Sequence, residues 1–326
     1  MPYGELDLIR EIRRKSLRNS EFIRFGIGDD AAVLRPRKGE DLVVTTDFSL
    51  EGVHFADFHP PFAAGYRCLA RGLSDVAAMG GRPLAAFLSL ALSPTWAQNR
   101  AKTREFLRGL HAVADQFGVV LAGGDTAGAP GKHTVADIIV VGAVPRGKAL
   151  LRSGARPGDA IYVTGRLGGA AAEFDALRAD PGAFRKVKPD GTHPHLFPQP
   201  RIAVGHRLLK LASACMDVSD GLSTDLHHLC EASGVGASLH ADVIPLAPHS
   251  TLDQALNGGE DYELLFTSRR SVPRRINGVE VTKIGIVTAG KSVLLLQNGR
   301  ERRLRRGGWQ HLTGKTGKHP ANPRLK

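Results

Sequence analysis

The sequence predicts a two-domain protein of mixed α/β (α+β) class, and three observations carry that prediction. The chain has 326 residues, 42% hydrophobic and 23% charged, which suits about two domains of ~100–200 residues each, with room for a sizeable core. Strand-like apolar runs alternate with stretches of helical pattern and length. A polar, turn-rich break, Arg152-Ser153-Gly154-Ala155-Arg156-Pro157-Gly158-Asp159, interrupts the alternation near the middle.

Taken in order, Asp41 to Thr46 reads as a strand running into Asp47, and Ala63 to Met79 as a helix. Thr95 to Phe117 is a second helical pattern, and Val119 to Ala122 a strand closing on Gly123-Gly124-Asp125. Val135 to Val144 is a long β-branched strand, and Ala160 to Thr164 opens the second half as another. Pro181 to Pro200, rich in proline, reads as a long surface loop. Helical patterns follow at Arg201 to Ala212 and Ser223 to Ala232. The expected domains are 1–150 and 151–312, with 313–326 a basic disordered tail.

Several function classes are set aside by composition. No apolar run reaches the roughly 18–20 residues of a membrane span. Met1 to Arg14 is charged and has no signal-peptide core. Cys68, Cys215 and Cys230 form neither CxxC nor a disulfide framework, which points to a reduced, cytoplasmic protein. The net charge is +12, but Arg300 to Lys326 holds nine Lys/Arg against one Glu, so residues 1–299 carry only +4. The basicity belongs to the tail, whose single aromatic, Trp309, does not interleave its basic residues, so nucleic-acid binding is not the expected main function.

The acids are the informative feature. They stand in Gly26-Ile27-Gly28-Asp29-Asp30, Thr45-Thr46-Asp47, Ser74-Asp75, Gly123-Gly124-Asp125-Thr126, Asp217-Val218-Ser219-Asp220-Gly221 and Gly258-Gly259-Glu260-Asp261. Carboxylates at strand ends gather at one edge of a sheet, where ligands bind in open α/β folds. Gathered carboxylates repel, and a divalent cation removes the repulsion. Mg2+ takes oxygen ligands and joins carboxylates to substrate phosphates, while glycines let backbone N–H groups approach those phosphates. The bland alternative is that Asp and Gly mark turns and helix N-caps. Six such motifs together favour a metal–phosphate site. Asp115 and Asp225 are expected to be solvated acids on helix faces.

One pattern competes. Gly285 to Ser292 matches GxxxxGK[ST], the P-loop that would carry an NTPase through Lys291. A P-loop needs a helix directly after it. Here Val293 to Gln297, Asn298-Gly299 and Arg300 to Leu304 read as strand, hairpin turn and strand.

With those residues in view, the chain resembles the thiamine-monophosphate kinase family, of the superfamily of aminoimidazole ribonucleotide synthetase, selenophosphate synthetase and the hydrogenase-maturation dehydratase. The resemblance spans about Gly4 to Leu312. It is carried by GIGDDAAVL (26–34), TTD and EGVHF (45–55), RGLSDVAAMGGRP (71–83), GGDT (123–126), RSGARPGD (152–159), MDVSDGLSTDL (216–226) and NGGEDYELLF (257–266). It implies a two-domain aminoimidazole ribonucleotide synthetase-like fold, whose N-terminal domains pair strands into a dimer barrel. Leu110 to Asp125 and Val135 to Val144 are the surfaces expected to supply that pairing. It implies Mg2+ at Asp30, Thr45, Thr46, Asp47, Asp75, Asp125, Asp217 and Asp220, and ATP contacts at Gly124, Asp125, Arg152 and Ser219. His54, Glu260 and Trp309 would hold thiamine monophosphate, and Asp47, Asp125 and Asp220 would be the residues central to direct in-line phosphoryl transfer. Another ATP-dependent enzyme of the superfamily, aminoimidazole ribonucleotide synthetase-like, is the alternative.

Overall fold

A computed structural model of the chain describes residues 11–15, 21–25, 27 and 31–309. The strands are β1 (Ile23–Phe25), β2 (Val33–Leu34), β3 (Glu40–Leu50), β4 (Arg82–Leu92), β5 (Val120–Gly128), β6 (Val135–Pro145), β7 (Ala160–Thr164), β8 (Ala214–Asp217), β9 (Gly236–His240), β10 (Leu264–Ser268), β11 (Arg275–Ile276), β12 (Val279–Thr288), β13 (Val293–Gln297) and β14 (Arg300–Arg303). The helices are α1 (Pro61–Ala78), α2 (Pro94–Gln98), α3 (Arg100–Phe117), α4 (Gly169–Ala179), α5 (Ile202–Leu208), α6 (Leu222–Ser233) and α7 (Leu252–Asn257).

The first half builds a four-stranded sheet of order β3-β6-β4-β5, parallel only between β4 and β5. The second builds a larger sheet, β14-β13-β9-β12-β7-β10-β8 with β11 paired to β12, parallel only between β9 and β13. Predominantly antiparallel pairing puts the molecule at the α+β end of the expectation and leaves a sheet face free to meet solvent.

Helix α1 joins the halves. Proline at its first position suits a start where the N–H has no partner anyway, and its sides are apolar nearly all round, as a buried helix requires. It packs on β3 and β6, on α3, and across to α5 and β8. It crosses α3 closely because both carry glycine there: a Cβ on Gly65 would stand 1.8 Å from the Phe106 carbonyl oxygen, and one on Gly109 1.8 Å from that of Phe62.

Three expectations change in three dimensions. The pattern from Thr95 to Phe117 divides into α2 and α3 at Asn99, whose side chain caps α3 by accepting from Lys102 N–H. The segment from Pro181 to Pro200 is not wholly a surface loop. His195, Leu196 and Phe197 are buried, and the latter two join the first half's core beside Tyr66 and Leu69. Asp47 and Asp125 stand inside β3 and β5 rather than at strand ends, because the ladder to β6 runs unbroken from Glu40 to Leu50 and that between β4 and β5 continues to Gly128. The rival P-loop region is β12, a turn, β13, Asn298-Gly299 and β14, so a strand and not a helix follows directly after Lys291. The expected tail, 313–326, lies outside the described residues.

Candidate active site between the halves

The C-terminal end of α1 meets β8, and there the chain brings three aspartates together. Thr45 and Asp47 lie on the face of β3 toward α1; the Thr45 hydroxyl donates to Asp75 Oδ2 at 2.6 Å. Ser74, next along the helix, donates to Asp217 Oδ2 at 2.6 Å and so ties the halves together at the site. Arg71, one turn earlier, donates to Asp47 Oδ1 at 2.7 Å and to the Phe48 carbonyl at 2.8 Å. A cavity opens over these groups, lined by Thr46, Asp47, His54, Arg71, Asp75, Asp217, Ser219, Asp220, Glu260, Tyr262 and Trp309, among others. A second, adjoining cavity shares Asp75 and Asp217 and adds Thr45, Arg152 and the apolar Val43, Met79 and Met216.

The electrostatics are those of crowded, desolvated acids. Burial pushes the Asp47 carboxyl up to about 6, against the pull of Arg71 and with further push from Asp75 and Glu260. Burial and then Asp75 push Asp217 up to about 7. Asp75 moves the same way, chiefly through burial. Carboxylates this crowded hold protons until a cation replaces them. The converging set offers only hard oxygen donors, which fits Mg2+ and not a thiol- or imidazole-seeking metal.

Backbone detail fixes the other wall. Ser219, Asp220 and Gly221 N–H groups all donate to Asp225 Oδ2, at 3.0, 3.1 and 3.1 Å. Asp225 is therefore not the solvated acid expected; it is 1% exposed and shapes the loop carrying Ser219 and Asp220. Asp220, Asp225 and His228 also lie close enough to share an ion, but Asp225 is committed to its three amides. Trp309 N–H donates to the Asp220 carbonyl at 3.0 Å. Gly308 permits this approach, since a Cβ there would stand 2.0 Å from that same oxygen. Glu260 and Tyr262 hold φ of +61° and +51°, a left-handed backbone that L-residues adopt only under constraint. The constraint is visible: Glu260 N–H donates to Ser219 O and Tyr262 N–H to Val218 O.

Of the residues singled out in the sequence, Thr46, Asp47, His54, Asp75, Asp217, Ser219, Asp220, Glu260 and Trp309 share the first cavity, and Thr45 and Arg152 the second. Gly124 and Asp125 line neither. Register places Asp125 level with Ser89 and Asp137, on the sheet face opposite Asp47, and it is exposed. Asp30 lies outside the described residues. Sequence reasoning missed Arg67, Arg71, His59, His195 and Tyr262. The two arginines had a signal: charges four apart inside the apolar run from Tyr66 to Val76. His195 had none.

Comparison with known proteins identifies the family. The family model for AIR synthase related protein, N-terminal domain, matches residues 28–147, and that for its C-terminal domain matches 156–296. The thiamine-monophosphate kinase of Escherichia coli (strain K12) is 37% identical over 304 residues, covering 89% of this chain and 92% of that protein. That of Buchnera aphidicola subsp. Schizaphis graminum is 32% identical over 328 residues, covering 95% and 99%. A crystal structure of thiamine-monophosphate kinase from Stenotrophomonas maltophilia K279a superposes with a TM-score of 0.77 at 36% identity, covering 91% and 97% of the two chains. AaThiL complexed with AMPPCP and TMP superposes at 0.73 and 30%, covering 95% and 97%. The hydrogenase maturation protein HypE, at 18% identity and a TM-score of 0.74, shares the fold. Matched in both halves and over nearly its whole length, the chain belongs to the thiamine-monophosphate kinase family of AIR synthase related proteins.

Proposed function

We propose that the chain transfers the γ-phosphoryl group of ATP to the phosphate of thiamine monophosphate, giving thiamine diphosphate. The observation that carries this is the convergence of Asp47, Asp75 and Asp217 in one cavity with His54, Glu260 and Trp309. The relative complexed with AMPPCP and TMP supports the choice of both substrates.

The chemistry asks for alignment and charge neutralisation. The acceptor is a phosphate with a second pKa of about 6, so it is largely ionised near pH 7 and needs no general base. Phosphoryl transfer is then a matter of positioning and electrostatic stabilisation. Mg2+ bound by Asp47, Asp75, Asp217 and Asp220 would neutralise the phosphates of both substrates. Arg71 holds Asp47 in place, and its buried Nε–H, without a partner among the described residues, remains as a donor for a phosphate oxygen. Arg152, on the second cavity, adds a grip suited to the nucleotide. Trp309 offers a ring to the cationic thiazolium or the pyrimidine.

Two further elements belong to this reading. Leu42, Val44 and Phe48, 44%, 64% and 56% exposed, form an apolar stripe on the outer face of β3. That stripe, beside Ile139 of β6, suits pairing with a second copy into a homodimer. It comes from β3 rather than from Leu110 to Phe117, which belong to α3. Three buried thiols with no disulfide fit a reducing cytoplasm.

The test is ATP-dependent release of ADP with thiamine monophosphate as acceptor, with and without Mg2+. Stoichiometric thiamine diphosphate is expected. ADP release only with a formylglycinamidine substrate would replace this reading with the aminoimidazole ribonucleotide synthetase-like one.

A further inference from the structure

The inner wall of the cavity carries a directional hydrogen-bond chain that the phosphoryl chemistry does not use. His59, at the entry to α1, and His195, from the segment before α5, are 3% and 1% exposed, and both line the cavity. Ala56 N–H donates to His59 Nδ1 at 2.9 Å. His59 Nε2 and His195 Nε2 are 3.0 Å apart. His195 Nδ1 lies 3.3 Å from Glu260 Oε2, and Arg67 donates to Glu260 Oε1 at 2.5 Å.

The Ala56 amide sets the order of protons along this chain. An amide N–H can only donate, so His59 Nδ1 must be the bare nitrogen. A neutral His59 then carries its proton on Nε2 and donates to His195 Nε2. A neutral His195 in turn carries its proton on Nδ1 and donates to Glu260. The other tautomers would set two N–H groups or two lone pairs face to face across 3.0 Å. Burial lowers both imidazole pKa values, consistent with neutral rings. Arg67 Nη1 donates to the His195 carbonyl oxygen and also stands 3.2 Å from Nδ1, a contact that a protonated Nδ1 leaves without a hydrogen bond while it turns its proton to Glu260. Glu173 of α4 accepts the His195 backbone N–H at 2.7 Å and so anchors the segment that carries the ring.

Glu260 receives the chain while 30% of its side chain stays exposed. Burial alone would raise its pKa, but Arg67 and His195 hold it well below the usual carboxylate range. Each oxygen keeps a lone pair beyond the contacts named. Arg67 and Arg71 supply the positive charge beside it, and the relay is backed by a ring: Phe174 packs 5.0 Å from His195 and 6.1 Å from His59, centroid to centroid. A pre-oriented carboxylate on an aromatic wall recognises a heteroaromatic ring that is cationic or bears an amine.

We propose that His59 and His195 are positioning residues for the phosphate acceptor, the relay from Ala56 fixing Glu260 as the acceptor of a hydrogen bond from an amine-bearing or cationic heteroaromatic ring. This rests on the kinase reading for the identity of the ring.

The experiment measures Kd for thiamine monophosphate by calorimetry, and KM for acceptor and ATP by ADP release, in the wild type, His195→Phe, His195→Asn and Glu260→Gln. Phenylalanine keeps the ring and removes the chain; asparagine keeps a donor near Nδ1. His195→Phe is expected to weaken acceptor binding on the order of 10- to 100-fold, as loss of a hydrogen bond to a charged group does, with KM for ATP unchanged. Asn should recover most of that loss, and His195→Phe should add little to Glu260→Gln. Unchanged acceptor affinity in His195→Phe overturns the proposal, as does equal damage from Phe and Asn. Should the His195 variants not fold, His59→Gln against His59→Leu makes the same comparison. Wild-type protein that binds the acceptor without ATP-dependent turnover overturns the kinase reading alone; wild-type protein that does not bind it overturns both.

Discussion

Strand β3 presents Thr45 and Asp47 to one side and Thr46 and Phe48 to the other, and the two sides differ in what covers them. On the inner side α1 lies across the strand, and β8 arrives with Asp217. Carboxylates there are stripped of water and pushed toward protonation. On the outer side Thr46 donates to Asp137 at 2.7 Å, Asp125 is exposed three strands away, and Phe48 meets solvent. The same residue types are thus desolvated, mutually repelling acids on one face and exposed acids beside an apolar stripe on the other. A carboxylate becomes chemically interesting through its covering and its neighbours, not through the motif it sits in.

The largest expected effect breaks or keeps this contrast. Asp47→Asn and Asp217→Asn should each reduce kcat on the order of 10^3-fold with the fold retained by circular dichroism. Asp125→Asn should cost less, on the order of 10-fold. Equal loss in all three would show that the outer face joins the site, through a second copy or through bound Mg2+.

Next comes pH. The inner acids have folded-state pKa values above their ordinary 3.8, near 7 for Asp217 and 6 for Asp47. Between about pH 4 and 7 the folded state therefore binds more protons than the unfolded one, and stability falls as pH rises through that window. In EDTA the melting temperature should drop on going from pH 5 to pH 8. Added Mg2+ should restore it, and do so more at pH 8 than at pH 5, because the metal takes deprotonated ligands. Asp217→Asn should flatten the drop; an unchanged profile in that variant would detach it from the inner cluster.

The outer face has its own test. Phe48→Glu should convert a dimer to a monomer by light scattering at micromolar protein while leaving the melting temperature nearly unchanged, since the ring is 56% exposed within one chain. The smallest effect is expected at Lys291, which lies on neither face: Lys291→Ala should leave turnover within about twofold, the range of a surface change. A collapse of activity there would revive the P-loop.

Much of this architecture was legible in the residues. The β-branched run from Val135 to Val144 announced β6, the turn-rich break before Ala160 announced a new sheet, and the hairpin at Asn298-Gly299 disposed of the P-loop. Asp217 closes β8, a buried strand of four residues too short for its pattern to stand out in the sequence. Asp225 was misread because its company, three backbone N–H groups of a loop four to six residues away, appears only when the chain turns back on itself at Gly221. His195 was invisible because burial of the 195–197 segment depends on the far side of α1, contributed by residues more than a hundred positions earlier.

What the sequence determined by itself was the local grammar: which stretches are strands and helices, where glycine and proline end them, and that its acids are too many and too flanked by glycine to be turns alone. Family resemblance followed from the same linear motifs. Only the tertiary structure decided which acids share a cavity, which face of β3 looks inward, and how Ala56, His59, His195 and Glu260 align. The physical reason is that periodicity is written in neighbours along the chain, whereas desolvation, repulsion and tautomer choice are set by neighbours through space.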